Sequence, residues 1–305
     1  MSYTLIINNV SVLFLIMGVG IISTKRNIIT PEISQGLSKL LVTVIMPLRI
    51  ISSFQMEFSR ELLMNAGIVF AASIGIHLIS ILLAEILFKR VPFHQRNVLK
   101  MMTVFANSGY MGFPILQSLF GDIGFFYGSI YLAGLLIFLW TYGVVIFIGK
   151  VTSQNVSNVL KAPAIPAVTI GLLLFIFSIK LPPVLFKTFS SIGSMTTPMM
   201  MLIIGSLLSQ INFKTIFSGA YVYIGSLLRL VVVPLLSFFL LRFAGISGIP
   251  LQLCVICAAT PAAANTAIFA SRYDGDTSLA SRAVSVSTLL SIITLMVTII
   301  LVAPY

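Results

Sequence analysis

Apolar stretches recur along the whole chain, separated by short polar or charged breaks. Most run to about 17 to 25 residues, enough to cross a hydrocarbon core as α-helix. The pattern predicts ten spans, at approximately residues 5–23, 35–54, 63–88, 101–119, 123–149, 163–179, 185–208, 216–242, 250–271 and 279–303. No stretch between them is long enough for a soluble domain. The first span has no basic segment before it and no small-residue cleavage site after it, so it is expected to stay as a membrane helix.

Composition sharpens this reading. The chain is 58% hydrophobic and 8% charged, which a water-soluble domain sustains only by exposing large apolar patches. The formal net charge of +11 does not point to nucleic acid, because Lys and Arg stand singly or in pairs between apolar runs and form no basic stripe. They read as topology signals. With the amino terminus outside, the inside connections hold Lys25, Arg26, Lys39, Lys89, Arg90, Arg96, Lys100, Lys150, Lys161, Lys214, Arg272 and Arg282. The outside ones hold only Arg60, Lys180, Lys187 and Arg242, and twelve against four sets the orientation. Both termini are then expected outside a cell membrane, with a polar central loop between Lys150 and Lys161 inside.

The two halves, 1–150 and 151–305, correspond at a shift of about 151 to 154 residues. Pro47 matches Pro198, Gly121-Asp122 matches Gly275-Asp276, and a break at Asn107 matches a break at Pro261. Each half has five predicted spans, and an odd number of crossings forces the second copy to enter from the opposite side. The expected fold class is therefore an all-α polytopic membrane protein: ten transmembrane helices as two inverted five-helix repeats, with broken crossover helices at spans four and nine. Such an arrangement opens a shared midplane site to either side at little energy difference, which is how a secondary transporter works.

Span four carries Asn107-Ser-Gly-Tyr-Met-Gly-Phe-Pro114, where Gly109, Gly112 and Pro114 weaken the helix in mid-membrane. Freed backbone groups at that depth are tolerated only where protein or a water-filled cavity satisfies them. Span nine has the matching interruption, Pro261 followed by Asn265 and Thr266. Half-helix amino termini at such breaks carry about half a positive charge each and face anionic ligands. Asn107, Ser108, Asn265 and Thr266 can add neutral hydrogen bonds without the desolvation cost of a buried charge. Packing kinks, and interhelical hydrogen bonds from the two Asn side chains, are the plainer alternatives.

The Asn107–Pro114 segment followed by Gly121 resembles the fourth-span motif of the auxin efflux carrier family, in the bile acid/auxin carrier superfamily. The ninth span, with Pro261 and Ile268-Phe-Ala270, looks like that family's second crossover. The resemblance covers all ten spans in order and spacing. It implies a scaffold domain from spans one, two, six and seven, a moving transport domain from spans three to five and eight to ten, and a substrate site lined by Asn107 and the Pro114 and Pro261 crossovers. It implies an efflux carrier of small organic anions working by an elevator motion, and a homodimer through the scaffold is a candidate assembly. The chain departs from plant members at Ala106, where they have Pro, at Pro261-Ala-Ala, where they have Pro-Gln-Gly, and in its short central loop. It is similar to a prokaryotic-type branch, whose usual suggested substrates are organic acids such as malate; auxin-like indole acids are the other class that the family resemblance offers.

Ionisable residues inside the membrane are functional suspects because their burial is costly. His77 and Arg229 fall in mid-span and correspond at a shift of 152 residues. Arg229 is a candidate for neutralising a substrate carboxylate and His77 for proton coupling, or either binds backbone carbonyls inside the bundle. Arg49 is expected to snorkel at the end of span two, and Glu85 to pair with Lys89 one turn on. Asp122, Asp274 and Asp276 lie at span ends, and Cys254 and Cys257 form a lone CxxC inside an apolar run. Nothing forms a catalytic or metal-ligand constellation, so neither an enzyme nor a cofactor nor a metal is expected. A sodium- or proton-coupled symporter, and a sensor or channel that kept the transporter fold, remain as alternatives.

Overall fold

The computed structural model describes residues 3–150, 152–209, 216 and 218–303; Lys214, one of the expected inside cations, lies outside them. The helices are α1 (Tyr3–Lys25), α2 (Pro31–Leu40), α3 (Met46–Ser53), α4 (Arg60–Leu87), α5 (Phe93–Val104), α6 (Phe113–Trp140), α7 (Tyr142–Ile148) and α8 (Ser153–Lys161). The second half continues with α9 (Ala164–Ile176), α10 (Pro183–Gly193), α11 (Thr196–Ser209), α12 (Ala220–Leu227), α13 (Val233–Phe243), α14 (Gly248–Ala259), α15 (Asn265–Arg272) and α16 (Thr277–Val302). Among the described residues there is no strand, only one isolated antiparallel bridge between Ala106 and Ala262. The chain is an all-helical, polytopic membrane protein. Among the described residues seven helical stretches are long and apolar enough to cross a bilayer, and Ala164–Ile176 and Gly248–Ala259 are shorter apolar helices.

Three wide π-turns share one cause. They cover Leu41–Ile45, Ser108–Gly112 and Leu228–Val232, and Pro47, Pro114 and Pro234 each stand two residues beyond. A proline ring collides with the carbonyl four residues back, here Thr43, Tyr110 and Leu230, the central residue of each π-turn. Widening the turn relieves that collision without ending the helix.

The chain divides into two compact units. The first comprises residues 1–67, 109–133 and 160–210, and the second 68–108, 134–159 and 211–305.

In the first unit α1 lies along α11 at a close approach made by glycine. A Cβ on Gly20 would stand 2.5 Å from the Leu202 carbonyl oxygen, and one on Gly205 would overlap the Met17 carbonyl oxygen. Small residues that let backbones touch hold helices together where lipid removes the hydrophobic driving force. The run from Phe113 turns back at Gly121, whose φ of 62° suits glycine. Phe113 and Phe125 would be about 18 Å apart along an unbroken helix, yet their rings stack with centroids 4.3 Å apart. The helical run therefore reverses as a hairpin at Gly121 and does not continue as one long rod. Beside the turn, buried Arg49 reaches the exposed carboxylate of Asp122 at 2.5 Å and lies 4.9 Å from the centroid of the Phe125 ring. Arg49 is thus paired, where snorkelling alone was expected.

In the second unit α5 starts at Phe93, eight residues before the expected start of span four. Arg96 and Lys100 are helical residues and not part of a connection. Lys100 pairs with Glu85 at 2.5 Å, and the Tyr142 hydroxyl donates to the same carboxylate at 2.7 Å. The expected Glu85–Lys89 pair is therefore replaced: α4 ends at Leu87, so residue 89 has left the helix on which a four-residue spacing brings side chains together. The expected central loop also needs correction, because Ser153–Lys161 forms a helix of its own.

Candidate functional site at the helix crossover

Two helices of the second unit stop in mid-course. α5 ends at Val104 and leads into extended Phe105, while α14 ends at Ala259 and leads into extended Thr260. The two unwound segments run antiparallel and bind each other. The Asn107 amide donates to the Pro261 carbonyl at 2.7 Å, and the Ala263 amide donates to the Phe105 carbonyl at 2.9 Å. A backbone that would otherwise leave orphaned groups in an apolar interior is satisfied by its counterpart. The remaining groups find side chains: Ser287 on α16 accepts from the Ala262 amide at 3.2 Å, and the Ser108 hydroxyl donates to the Cys257 carbonyl at 3.1 Å. Thr260 also donates to Cys257, at 2.8 Å.

The carbonyls at the ends of α5 and α14 converge on one cation. Arg229, 1% exposed and set in the π-turn of Leu228–Val232, donates through one terminal nitrogen to Thr103 at 2.9 Å and Val104 at 3.4 Å. Its other terminal nitrogen donates to the carbonyl of Ala258. Of the two roles open in the sequence, carboxylate partner or carbonyl partner, these contacts are of the second kind. His77 is likewise buried, with Nδ1 2.7 Å from the Ser73 carbonyl and its ring stacked on Phe138 at 5.3 Å. It also lies 6.2 Å from the Phe105 ring, at the edge of the break.

The two amides expected at the site stand apart from this network. Asn107 and Asn265 are half-buried, and among the described residues neither carboxamide makes a hydrogen bond to protein. Thr266 is fully buried with its hydroxyl oxygen unpartnered, and Thr103 is the same. The break falls at Phe105–Asn107, earlier than the Asn107–Pro114 expected, and Gly109 and Gly112 lie in the π-turn that follows. Pro114 stands just beyond that π-turn, inside the helical run that begins at Ser108. These three fall in the first unit, whereas Asn107, Ser108, Pro261, Asn265, Thr266, Arg229 and His77 all fall in the second.

Thr103, Thr260 and Ser287 escaped the sequence reading. The signal available was small hydroxyl residues inside otherwise apolar spans, one of them directly before Pro261.

A family profile described as membrane transport protein matches residues 5–161 and 147–299, which together cover nearly the whole chain. The chain belongs to this family, that of the auxin efflux carriers. Its likeness to an uncharacterized transporter of Methanocaldococcus jannaschii is weaker in sequence but equally broad, at 23% identity over 298 residues covering 93% of this chain and 94% of the relative. The crossover pairs its own backbone, and among the described residues it leaves the Asn107 and Asn265 carboxamides and the Thr103 and Thr266 hydroxyls without a hydrogen-bond partner.

Proposed function

We propose that this membrane transport protein is a secondary carrier of small organic anions and that the anion binds at the crossover of spans four and nine. The observation that carries the reading is the pair of carboxamides, Asn107 and Asn265, at the two segments that cross, neither with a hydrogen-bond partner among the described residues. Each stands at the start of a helical run, Ser108 onward and Asn265 onward, where unpaired N–H groups and the helix dipole favour negative charge. Ser108, Pro261 and Thr266, of the same unit, complete the proposed lining.

The ten-span count has support in the geometry: the seven long stretches become eight once Ser108–Ile148 is divided at Gly121, and the two shorter apolar helices bring the total to ten. The inverted repeat is supported by paired interruptions. The π-turn at Leu41–Ile45 answers the gap between α10 and α11, and the Phe105–Asn107 break answers Thr260–Ala264. Gly121 answers the turn at Asp274, which has φ of 54°. Five spans per repeat then put both termini outside the cell membrane, with the charge bias already described. An elevator motion, in which a transport domain of spans three to five and eight to ten moves against a scaffold of spans one, two, six and seven, gives the alternating access. Substrates are small carboxylates, either indole acids or dicarboxylates of the malate class.

A ligand-bound structure tests the site. An anion within hydrogen-bond distance of Asn107 or Asn265, directly or through one water, is the expected result; an anion bound away from both amides refutes the assignment.

A further inference from the structure

The Arg229 guanidinium sits where two helix carboxyl ends meet, and that position has a charge arithmetic. The carboxyl end of a helix carries about half a negative charge, so two ends together present about one. Three carbonyls from those ends, Thr103 and Val104 of α5 and Ala258 of α14, are bound by a single buried side chain bearing one positive charge. A cluster of inward-facing carbonyls in an apolar interior is otherwise the natural seat of a hard inorganic cation, which takes oxygen ligands from backbone. Here the charge is covalently tethered through the π-turn of Leu228–Val232.

Building on the carrier reading above, we infer that Arg229 is a fixed counter-cation: it holds α5 to α14 at the crossover and takes the place of a coupling cation there. The consequence is energetic. A mobile cation must be captured in every cycle before the two half-helices are neutralised, whereas the tethered guanidinium is already in place when the protein has folded. The crossover is thus preorganised for its anion without sodium. Arg229 acts through the backbone it positions, not by touching the anion.

The test uses the full chain, purified in detergent and reconstituted, with thermal unfolding midpoint and flux of labelled malate and indole-3-acetate as separate readouts. For the wild type, both readouts are expected to be the same in sodium, potassium and choline salts. Arg229→Ala leaves three carbonyls without a donor; its midpoint is expected to fall and its flux to drop by about ten-fold or more. Millimolar guanidinium is expected to restore part of both in Arg229→Ala and to leave the wild type unchanged. Arg229→Lys, which keeps the charge but not the fork, is expected to lie between. Sodium that specifically raises the wild-type midpoint or flux overturns the inference, and so does Arg229→Ala with wild-type stability and flux. An Arg229→Ala protein that guanidinium cannot stabilise, alongside an equally damaged Arg229→Lys, overturns it too. Should Arg229→Ala not accumulate, the wild-type salt series and Arg229→Lys decide. Guanidinium rescue of stability with no wild-type flux of either anion would instead leave the counter-cation standing and sink the carrier reading for these substrates.

Discussion

Replacing Asn107 by Ala removes one carboxamide and little else. The backbone of Asn107 is fixed independently of its side chain, through the 2.7 Å hydrogen bond from its amide to the Pro261 carbonyl. Its side chain is half-buried and has no protein partner among the described residues, so its loss orphans no donor or acceptor. Folding should therefore change little, and any large effect must come from the ligand. A hydrogen bond to a charged partner is worth about 1.5 to 3 kcal/mol, so Asn107→Ala should weaken anion binding about 10- to 150-fold. Helix-dipole attraction of about 0.3 to 2 kcal/mol is untouched and should leave weak residual affinity. Calorimetric titration of detergent-purified protein with indole-3-acetate and malate measures this, with the thermal midpoint as the folding control. An unchanged affinity in a folded variant, for an anion the wild type binds, would refute the reasoning.

Asn265→Ala should act in the same direction in the same titration, because its amide is equally free. Ser287→Ala leaves the Ala262 amide without its acceptor and should cost about 1 to 3 kcal/mol, read as a lower thermal midpoint. Gly205→Ala forces α1 away from α11, since its Cβ overlaps the Met17 carbonyl, and should destabilise by about 1 to 3 kcal/mol in the same assay. Asp122→Asn should change stability by no more than about 1 kcal/mol, because the carboxylate facing Arg49 is 65% exposed to solvent. A single cysteine at Gln154 should label only from the cytoplasmic side; labelling from outside would overturn the topology and the inverted repeat built on it.

Helical membrane character was plain in the chain because lipid demands long apolar runs, and Gly121 marked a reversal because its conformation suits no other residue so well. The site was legible to the extent that breakers are: Pro261 stands in one break, and Asn107 closes the other. The position of the first break was not legible, because Phe105 and Ala106 carry no breaking tendency; they are extended because Ala262 and its neighbours offer them backbone partners from about 155 residues away. Partnerships between distant elements were hidden for the same reason. Lys100 and Asp122 are unremarkable in sequence until Glu85 and Arg49 arrive beside them. Arg229 was visible as a buried cation, but that it would meet two helix carboxyl ends depends on both breaks having formed. The three π-turns had a readable sign, a proline two residues beyond each, which becomes informative only once the helix is known to continue past it.

Concentrative flux is the most direct test of the account. Proteoliposomes containing the full chain, with an imposed inside-positive membrane potential and labelled malate or indole-3-acetate, should take up one of these anions saturably to an inside concentration above the outside one, and Asn107→Ala should raise the half-saturating concentration. Flux that never saturates, or uptake no greater than in liposomes without the protein, would contradict a carrier with its site at the crossover.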